Sequence, residues 1–151
     1  MLEPKGERSL PASETAVMDQ VALTFIPEIL IARTGQAAEF RNSDDTLHNV
    51  HVTNLDTKEP AFNVAIPTGE KYLYTFAKAG LYHVGCDIHP AMAAEIVAAS
   101  TPFVMVAGAD GGFTFVEVPP GLYVLKSLSG GTRKEREVDV KLGANAVALA
   151  P

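Results

Sequence analysis

The sequence predicts an all-β fold, a sandwich or barrel built from many short strands. Its apolar segments are short and rich in Val, Ile, Phe and Tyr, and Gly, Pro, Asn and Asp separate them at strand-like spacing. No segment shows a convincing helical period. Hydrophobic residues make up 47% of the 151 positions, which is enough for a real core in one domain with a small appendix.

The first hundred residues are predicted to hold one domain behind a loose N-terminal tail. Residues 1–15 show little periodicity and form that tail, and the domain covers residues 16–100. Pro27 has no N–H for a strand ladder, so it separates the first two strands. The predicted strands are 21–26, 28–32, 37–42, 48–53, 71–76, 81–86 and 94–99. A helical turn over the Ala-rich residues 90–99 is the alternative for the last of them.

Residues 101–151 are predicted to form a small β segment. Turn sequences such as Asp110-Gly111-Gly112 and Pro119-Pro120-Gly121 separate its apolar stretches. About fifty residues are few for an independent core, so we expect this segment to pack on the first domain or to be part of something larger. Its predicted strands are 103–106, 112–118, 122–126, 136–141 and 146–149.

Charge and composition exclude several classes of protein. The net charge of −6 argues against a nucleic-acid partner. The first 100 residues hold 7 Lys and Arg against 13 Asp and Glu, which favours a basic docking partner or is simply a solvated acidic surface. No apolar run is long enough to span a membrane, and no export leader is present in this chain. The single cysteine excludes an internal disulfide and a CxxC site.

Three candidate metal ligands lie within seven positions, in a predicted loop: Cys86, His89 and Met92. The predicted strand nearly forty residues upstream carries two more imidazoles, His48 and His51. Two imidazoles and a thiolate with a weak axial thioether form the ligand set of a mononuclear blue-copper electron-transfer site. Sulfur ligands favour Cu(I) and imidazole suits Cu(II), so the mixture keeps both oxidation states bound.

Each candidate also has an ordinary structural explanation. A lone cysteine is more often a small buried residue than a ligand, and the loop methionine can be a core residue. Since residues three apart in a strand point to opposite faces, only one of His48 and His51 can join the site. His83 lies on the face opposite Cys86, and Asp87 is interpreted as a solvated or loop-capping carboxylate.

Taken together, these motifs resemble the cupredoxins, the type 1 blue-copper proteins of the amicyanin/plastocyanin kind. The resemblance covers residues 16–99. The residues and motifs that match the family pattern are Cys86-x2-His89-Pro90-x-Met92, His48-Asn49-Val50-His51, Gly80-x-Tyr82-x-Val84-x-Cys86, Phe25-x-Pro27, Gly35, Phe40-x-Asn42 and Asp44.

The resemblance implies a Greek-key β-sandwich that binds copper, cycling between Cu(I) and Cu(II). It implies His48, Cys86, His89 and Met92 as the metal ligands. It also implies that Asn49 braces the two ligand-bearing loops by hydrogen bonds. An exported or periplasmic location follows from the same resemblance.

The second part of the chain resembles the later strands of a carboxypeptidase regulatory-like, or transthyretin-like, β-domain. The matching features are Asp110-Gly111-Gly112-Phe113-x-Phe115, Val118-Pro119-Pro120-Gly121-x-Tyr123 and Val138-x-Val140-x-x-Gly143. This resemblance implies packing or partner binding, and no catalytic residues.

The preferred interpretation is a soluble one-electron carrier and not an enzyme, with a redox protein partner that is basic or similar to a c-type cytochrome. Weak, transient docking suits such a partner. The alternatives are a copper delivery or storage module, and a structural interaction domain with incidental metal binding. The oligomeric state stays open.

Overall fold

The computed structural model describes residues 1–5, 14–129 and 132–148, and within them it contains strands and no helix. The all-β prediction is confirmed. The chain divides into two compact units, Ser13–Ser100 and the combination of Met1–Ala12 with Thr101–Pro151. The strands are β1 (Leu2–Pro4), β2 (Ala16–Val21), β3 (Thr24–Ile26), β4 (Ile29–Arg33), β5 (Ala37–Asn42), β6 (His48–Asn54), β7 (Pro60–Ile66), β8 (Lys71–Thr75), β9 (Gly80–Gly85), β10 (Ala93–Ala99), β11 (Gly121–Ser129) and β12 (Thr132–Val140).

None of the described segments is a helix of the length and apolar character that crossing a membrane requires.

The larger unit is a β-sandwich. A five-stranded sheet has the order β4-β10-β9-β6-β7, and a four-stranded sheet has the order β3-β2-β5-β8. Most neighbouring strands are antiparallel, but β4 pairs with β10 and β2 pairs with β5 in parallel. These two parallel pairings join strands that are distant in sequence, so the sheets depend on long-range contacts.

The core of the sandwich consists of alternate side chains from both sheets. Phe40 of β5, Val84 of β9 and Ile96 of β10 are each completely buried. A chain of aromatic rings runs through this core, with Phe62 at 5.2 Å from Phe40 and 4.5 Å from Tyr74 between ring centroids. Edge-to-face and tilted contacts of this kind add to the free energy gained by burying the rings.

One local device occurs in both units. The Tyr82 hydroxyl donates a hydrogen bond to the carbonyl of Lys78, and the Tyr123 hydroxyl donates one to the carbonyl of Pro119. In each case the tyrosine follows a Gly-Leu pair at the start of a strand and reaches back four residues. This arrangement is a tyrosine corner, which anchors the chain where it enters a sheet.

The four-stranded sheet carries a mostly buried carboxylate that makes its stability depend on pH. Glu39 of β5 forms ion pairs with Lys71 on the neighbouring strand, at 2.9 Å, and with Arg41. Hydrogen bonds from Lys71 and then Arg41 lower the pKa of the Glu39 carboxyl. The folded protein therefore holds this proton less tightly than the unfolded chain does.

We expect the stabilisation from Glu39 to be complete above the ordinary glutamate pKa of about 4.3 and to be lost as the pH falls through the lowered folded pKa. Glu39→Gln should then reduce stability at neutral pH and flatten its decline between about pH 5 and 3. Urea unfolding of the sandwich across this pH range measures both effects. Glu59→Gln, at an exposed position, is the matched control, and an equal flattening in that variant would contradict the assignment.

The smaller unit is a three-stranded antiparallel sheet with the order β1-β11-β12. Tyr123 and Leu125 of β11 are buried in its core beside Leu2 of β1. Phe103 and Phe115 pack on the same cluster, with ring centroids 6.4 Å apart.

The N-terminal tail predicted for residues 1–15 requires a correction. Residues 2–4 form β1, which pairs with β11, with Leu2 opposite Leu125. Leu2 is only 5% exposed, so burial of an apolar side chain and a strand ladder hold this segment in place. Residues 6–13 of the predicted tail lie outside the described residues.

Several predicted strands also differ from the structure. Residues 103–106, 112–118 and 146–148 lie outside the strands, and residue 149 of the last predicted strand lies outside the described residues. Some of their apolar side chains, such as Phe103 and Phe113, pack on the core of the smaller unit, whereas Val106 and Val116 are exposed. The predicted strand 21–26 is not continuous. Val21 ends β2, Ala22 and Leu23 form a tight turn, and residues 24–26 form the antiparallel strand β3. Residues 93–99 form β10, not a helical turn.

Candidate metal centre

The loop between β9 and β10 carries three of the predicted site residues. Cys86 directly follows β9, and its side chain is buried beneath the sandwich surface. His89 is half-buried, and its carbonyl accepts a hydrogen bond of 2.9 Å from the Met92 backbone N–H. This bond closes a tight turn, so three residue types with metal-binding side chains are held on seven consecutive positions.

The first residue of β6 brings an imidazole to the same end of the sheet. β6 and β9 are antiparallel neighbours with His51 opposite Gly85, so the start of β6 lies beside the end of β9. His48 is completely buried, whereas the side chain of His51 is 36% exposed. The strand alternation that allowed only one of the two at the site therefore places His48 inward.

His48, Cys86 and His89 bring three potential donor atoms into one small triangle. The two Nδ1 atoms of the histidines lie 2.9 Å apart. The Cys86 Sγ atom lies 3.8 Å from Nδ1 of His48 and 3.9 Å from Nδ1 of His89. Among the described residues, this is the one group of three or more His, Cys, Asp or Glu side chains arranged to hold a metal ion.

The triangle has the size that a metal ion requires. The point equidistant from its three corners lies about 2.1 Å from each, which is the length of metal–imidazole and metal–thiolate bonds, about 2.0 to 2.3 Å. Two nitrogen lone pairs facing each other at 2.9 Å repel unless a proton or a cation lies between them. The donor set and its spacing thus fit copper in a trigonal His2Cys arrangement.

A carboxylate contacts the ring of His48 at Nε2, the nitrogen that is not part of the triangle. Asp44 Oδ2 accepts a hydrogen bond of 2.9 Å from Nε2 of His48, which leaves Nδ1 of that ring free to bind a metal. Hydrogen bonds from the Leu23 backbone N–H and from His48 lower the pKa of the Asp44 carboxyl. The sequence analysis took Asp44 only as part of a family pattern, because its contact with His48 depends on the path of the loop.

Asn49 lies between the strand that carries His48 and the loop that carries Cys86. Its Oδ1 accepts a hydrogen bond of 2.7 Å from the Asp87 backbone N–H, and Cys86 Sγ is 3.3 Å away from the same oxygen. Its Nδ2 donates to Asp87 Oδ2 and to Asn63 Oδ1, at 2.9 and 2.8 Å. This amide therefore connects β6, β7 and the loop that follows β9.

Asp87 completes that network from the solvent side. Its side chain is 57% exposed and accepts hydrogen bonds from Asn63 Nδ2 at 2.8 Å and His51 Nδ1 at 3.0 Å. The hydrogen bond from His51, followed by that from Asn63, lowers the pKa of the Asp87 carboxyl. Sequence reasoning missed Asn63 because no expected strand contained it, and only the register of β7 against β6 brings it here.

Met92 is buried, with 2% of its surface exposed, and belongs to the same core cluster as Cys86. Two exposed apolar side chains are direct sequence neighbours of the two histidines. Leu47, directly before His48, is 48% exposed, and Ile88, directly before His89, is 47% exposed.

His83 lies outside the triangle. It is exposed on β9, and its strand neighbour Val84 points into the core.

Comparison with known proteins identifies the family and supports the fold. The model of the copper-binding plastocyanin/azurin family matches residues 12–99. Among solved structures, a reduced amicyanin variant aligns with a TM-score of 0.51 at 23% identity, covering 59% of this chain and 86% of the amicyanin. A second reduced amicyanin variant aligns with a TM-score of 0.51 at 21% identity, covering 65% and 98%. These likenesses show the fold.

A copper-containing nitrite reductase from Thermus scotoductus SA-01 aligns at 30% identity with a TM-score of 0.51. The alignment covers 62% of this chain and 24% of the reductase, so it concerns about a quarter of that protein. No curated protein sequence matches the chain.

Proposed function

Because the chain belongs to the plastocyanin/azurin family of copper-binding proteins, we propose that it is a one-electron carrier whose copper is held by His48, Cys86, His89 and Met92. The observation that supports this proposal most directly is the triangle of two Nδ1 atoms and one Sγ atom. Its central point lies at the length of a metal–ligand bond from each of the three atoms. Bound copper would supply the change between Cu(II) and Cu(I). The side chains would bind the metal, keep its ligands in position and provide the route for the electron.

The thiolate of Cys86 and the imidazoles of His48 and His89 would hold the copper. The fourth ligand, Met92, is assigned from the family pattern and from its burial in the core that also contains Cys86. A soft thioether ligand would favour Cu(I) and tune the reduction potential. Asn49, which bridges the two ligand-bearing segments, would keep the donor atoms in place in both oxidation states.

The half-buried ring of His89 is the proposed route for the electron. It lies in a loop whose neighbours Pro90, Ala91 and Ala93 are exposed, and Leu47 and Ile88 add larger apolar side chains. An apolar patch around an electron-transfer ligand suits the brief, small contacts that redox partners make.

The partner is proposed to be a redox protein with a basic surface, of the kind represented by c-type cytochromes. The acidic excess lies in the first 100 residues of the chain, and exposed Asp45 and Asp87 are close in sequence to His48 and Cys86. Opposite charges steer such encounters and make their rate depend on salt. An exported location belongs to the same proposal, since the family resemblance implies it.

The decisive experiment follows copper through repeated oxidation and reduction of the full chain. One equivalent of Cu(II) should produce an intense visible band that a mild reductant bleaches and an oxidant restores over many cycles. Copper content, measured after each cycle in the presence of a Cu(I) chelator, should stay constant. Transfer of the metal to the chelator on reduction would favour copper delivery or storage instead, and the absence of an intense band would contradict the proposed site.

A further inference from the structure

We infer that the turn between β2 and β3 helps to organise the proposed copper site. The turn holds Asp44, and Asp44 orients the ring of His48 and determines which of its nitrogens faces the metal. The inference rests on the proposed function in one respect, since it takes His48 as a ligand through Nδ1. It assigns a role to a hairpin that supplies no ligand.

The Asp44 carboxylate is the junction of three hydrogen bonds. Its Oδ1 accepts from the Ala22 backbone N–H at 2.6 Å, and its Oδ2 accepts from the Leu23 backbone N–H at 2.9 Å. The same Oδ2 accepts from Nε2 of His48 at 2.9 Å. Two amides of the turn thus hold the carboxylate in the position from which it contacts the imidazole.

The backbone of the turn is unusual for its residues. Ala22 and Leu23 adopt φ angles of +51° and +58°, in the left-handed region that residues with a Cβ atom rarely occupy. Leu23 is 52% exposed, so burial of its side chain does not explain this conformation. The two-residue loop between Val21 and Thr24 requires positive φ at both positions, which Asn, Asp and Gly usually fill. In this conformation the two consecutive N–H groups both donate to the Asp44 carboxylate.

The loop that carries Asp44 is also held from its other side. Asn42 is buried, and its Oδ1 accepts a hydrogen bond of 3.0 Å from the Asp44 backbone N–H. Its Nδ2 donates to the carbonyls of Thr46 and Ile66, at 2.8 Å each. Asp44 is therefore held in place both through its backbone N–H and through its side-chain carboxylate.

The consequence for the site is chemical. An imidazole has two nitrogens, and the one that donates to Asp44 cannot bind a metal. Fixing the proton on Nε2 keeps the lone pair of Nδ1 directed at the triangle with Cys86 and His89. Asp44 is a positioning residue, and the turn positions Asp44.

The test compares Asp44→Asn with Asp45→Asn. Both remove one negative charge, but Asp45 is exposed and lies one residue further along the loop, so the comparison separates the hydrogen bond from the net charge. An asparagine at 44 cannot accept three hydrogen bonds at its two terminal atoms, because one of them is an NH2 group. Asp44→Asn should lower Cu(II) affinity about 10- to 100-fold and shift the reduction potential and the visible spectrum, while Asp45→Asn leaves all three near wild type.

A further variant tests the turn itself. Inserting one glycine between Ala22 and Leu23 moves the two N–H groups off the carboxylate, and it should reproduce part of the effect of Asp44→Asn. The insertion leaves the Asp44 side chain intact, so it also keeps the inference testable if Asp44→Asn does not fold.

A measurement without copper separates this inference from the proposed function. Long-range nitrogen–proton NMR of the metal-free protein reports which nitrogen of His48 carries the proton. A proton fixed on Nε2 in the wild type, and redistributed in Asp44→Asn or the insertion variant, supports the inference even if copper binding gives no blue site. The inference is overturned if the proton distribution, affinity and potential of Asp44→Asn match those of Asp45→Asn.

Discussion

Replacing Cys86 with serine is expected to abolish the intense visible band of the copper-loaded protein. The band arises when charge moves from a thiolate sulfur to Cu(II), and the serine hydroxyl keeps its proton and is a hard ligand. Cys86 supplies the sulfur corner of the donor triangle and is the single cysteine of the chain, so no other cysteine can replace it. Copper affinity should fall by at least the roughly 100-fold that loss of a supporting group can cause.

The control for this experiment is His51→Ala. His51 lies in the same strand as His48, but its side chain is partly exposed and contacts Asp87 outside the triangle. The variant should keep the intense band, whereas His48→Ala should lose it. A blue protein that survives Cys86→Ser, or a band lost on His51→Ala and kept on His48→Ala, would show that the ligands are assigned wrongly.

Truncating Phe40 to alanine is expected to destabilise the sandwich by about 3 to 5 kcal/mol. The ring is completely buried and lies edge-on to Phe62, at 5.2 Å between centroids. Removing it eliminates buried apolar area and leaves a cavity that neighbouring strands, each tied into a ladder, can fill only in part. Such a loss is a large fraction of the stability of an ordinary domain.

The measurement must resolve the two units of the chain. Urea unfolding followed by proton–nitrogen NMR reports the sandwich through residues such as Val84 and the smaller unit through residues such as Leu125. The matched control is Leu73→Ala, since Leu73 is 54% exposed and its loss should change stability by less than about 0.5 kcal/mol. A loss below about 1 kcal/mol for Phe40→Ala would mean that the two sheets do not pack as described.

The sequence by itself determined the fold class and the chemistry of the candidate site. Strand patterning and turn residues are local properties, so the all-β fold and most strands of the sandwich follow from them. The spacing of Cys86, His89 and Met92 is also local, and so is the alternation that allows only one of His48 and His51 to face the site. The choice of His48 came from the family resemblance. The residue types limit the metals they can bind, and the structure brings His48, Cys86 and His89 together. That Met92 is an axial ligand stays a prediction.

The tertiary structure alone decided which distant segments support that chemistry. Asp44 contacts His48 because of the loop path that Asn42 and the turn after β2 impose, and no periodicity in the sequence encodes it. The turn itself was hidden, since Ala22 and Leu23 carry none of the usual signals for a left-handed conformation. Likewise, β1 joins β11 across more than a hundred residues. Long-range pairing and hydrogen-bond networks depend on which surfaces meet after folding, so they become visible only in three dimensions.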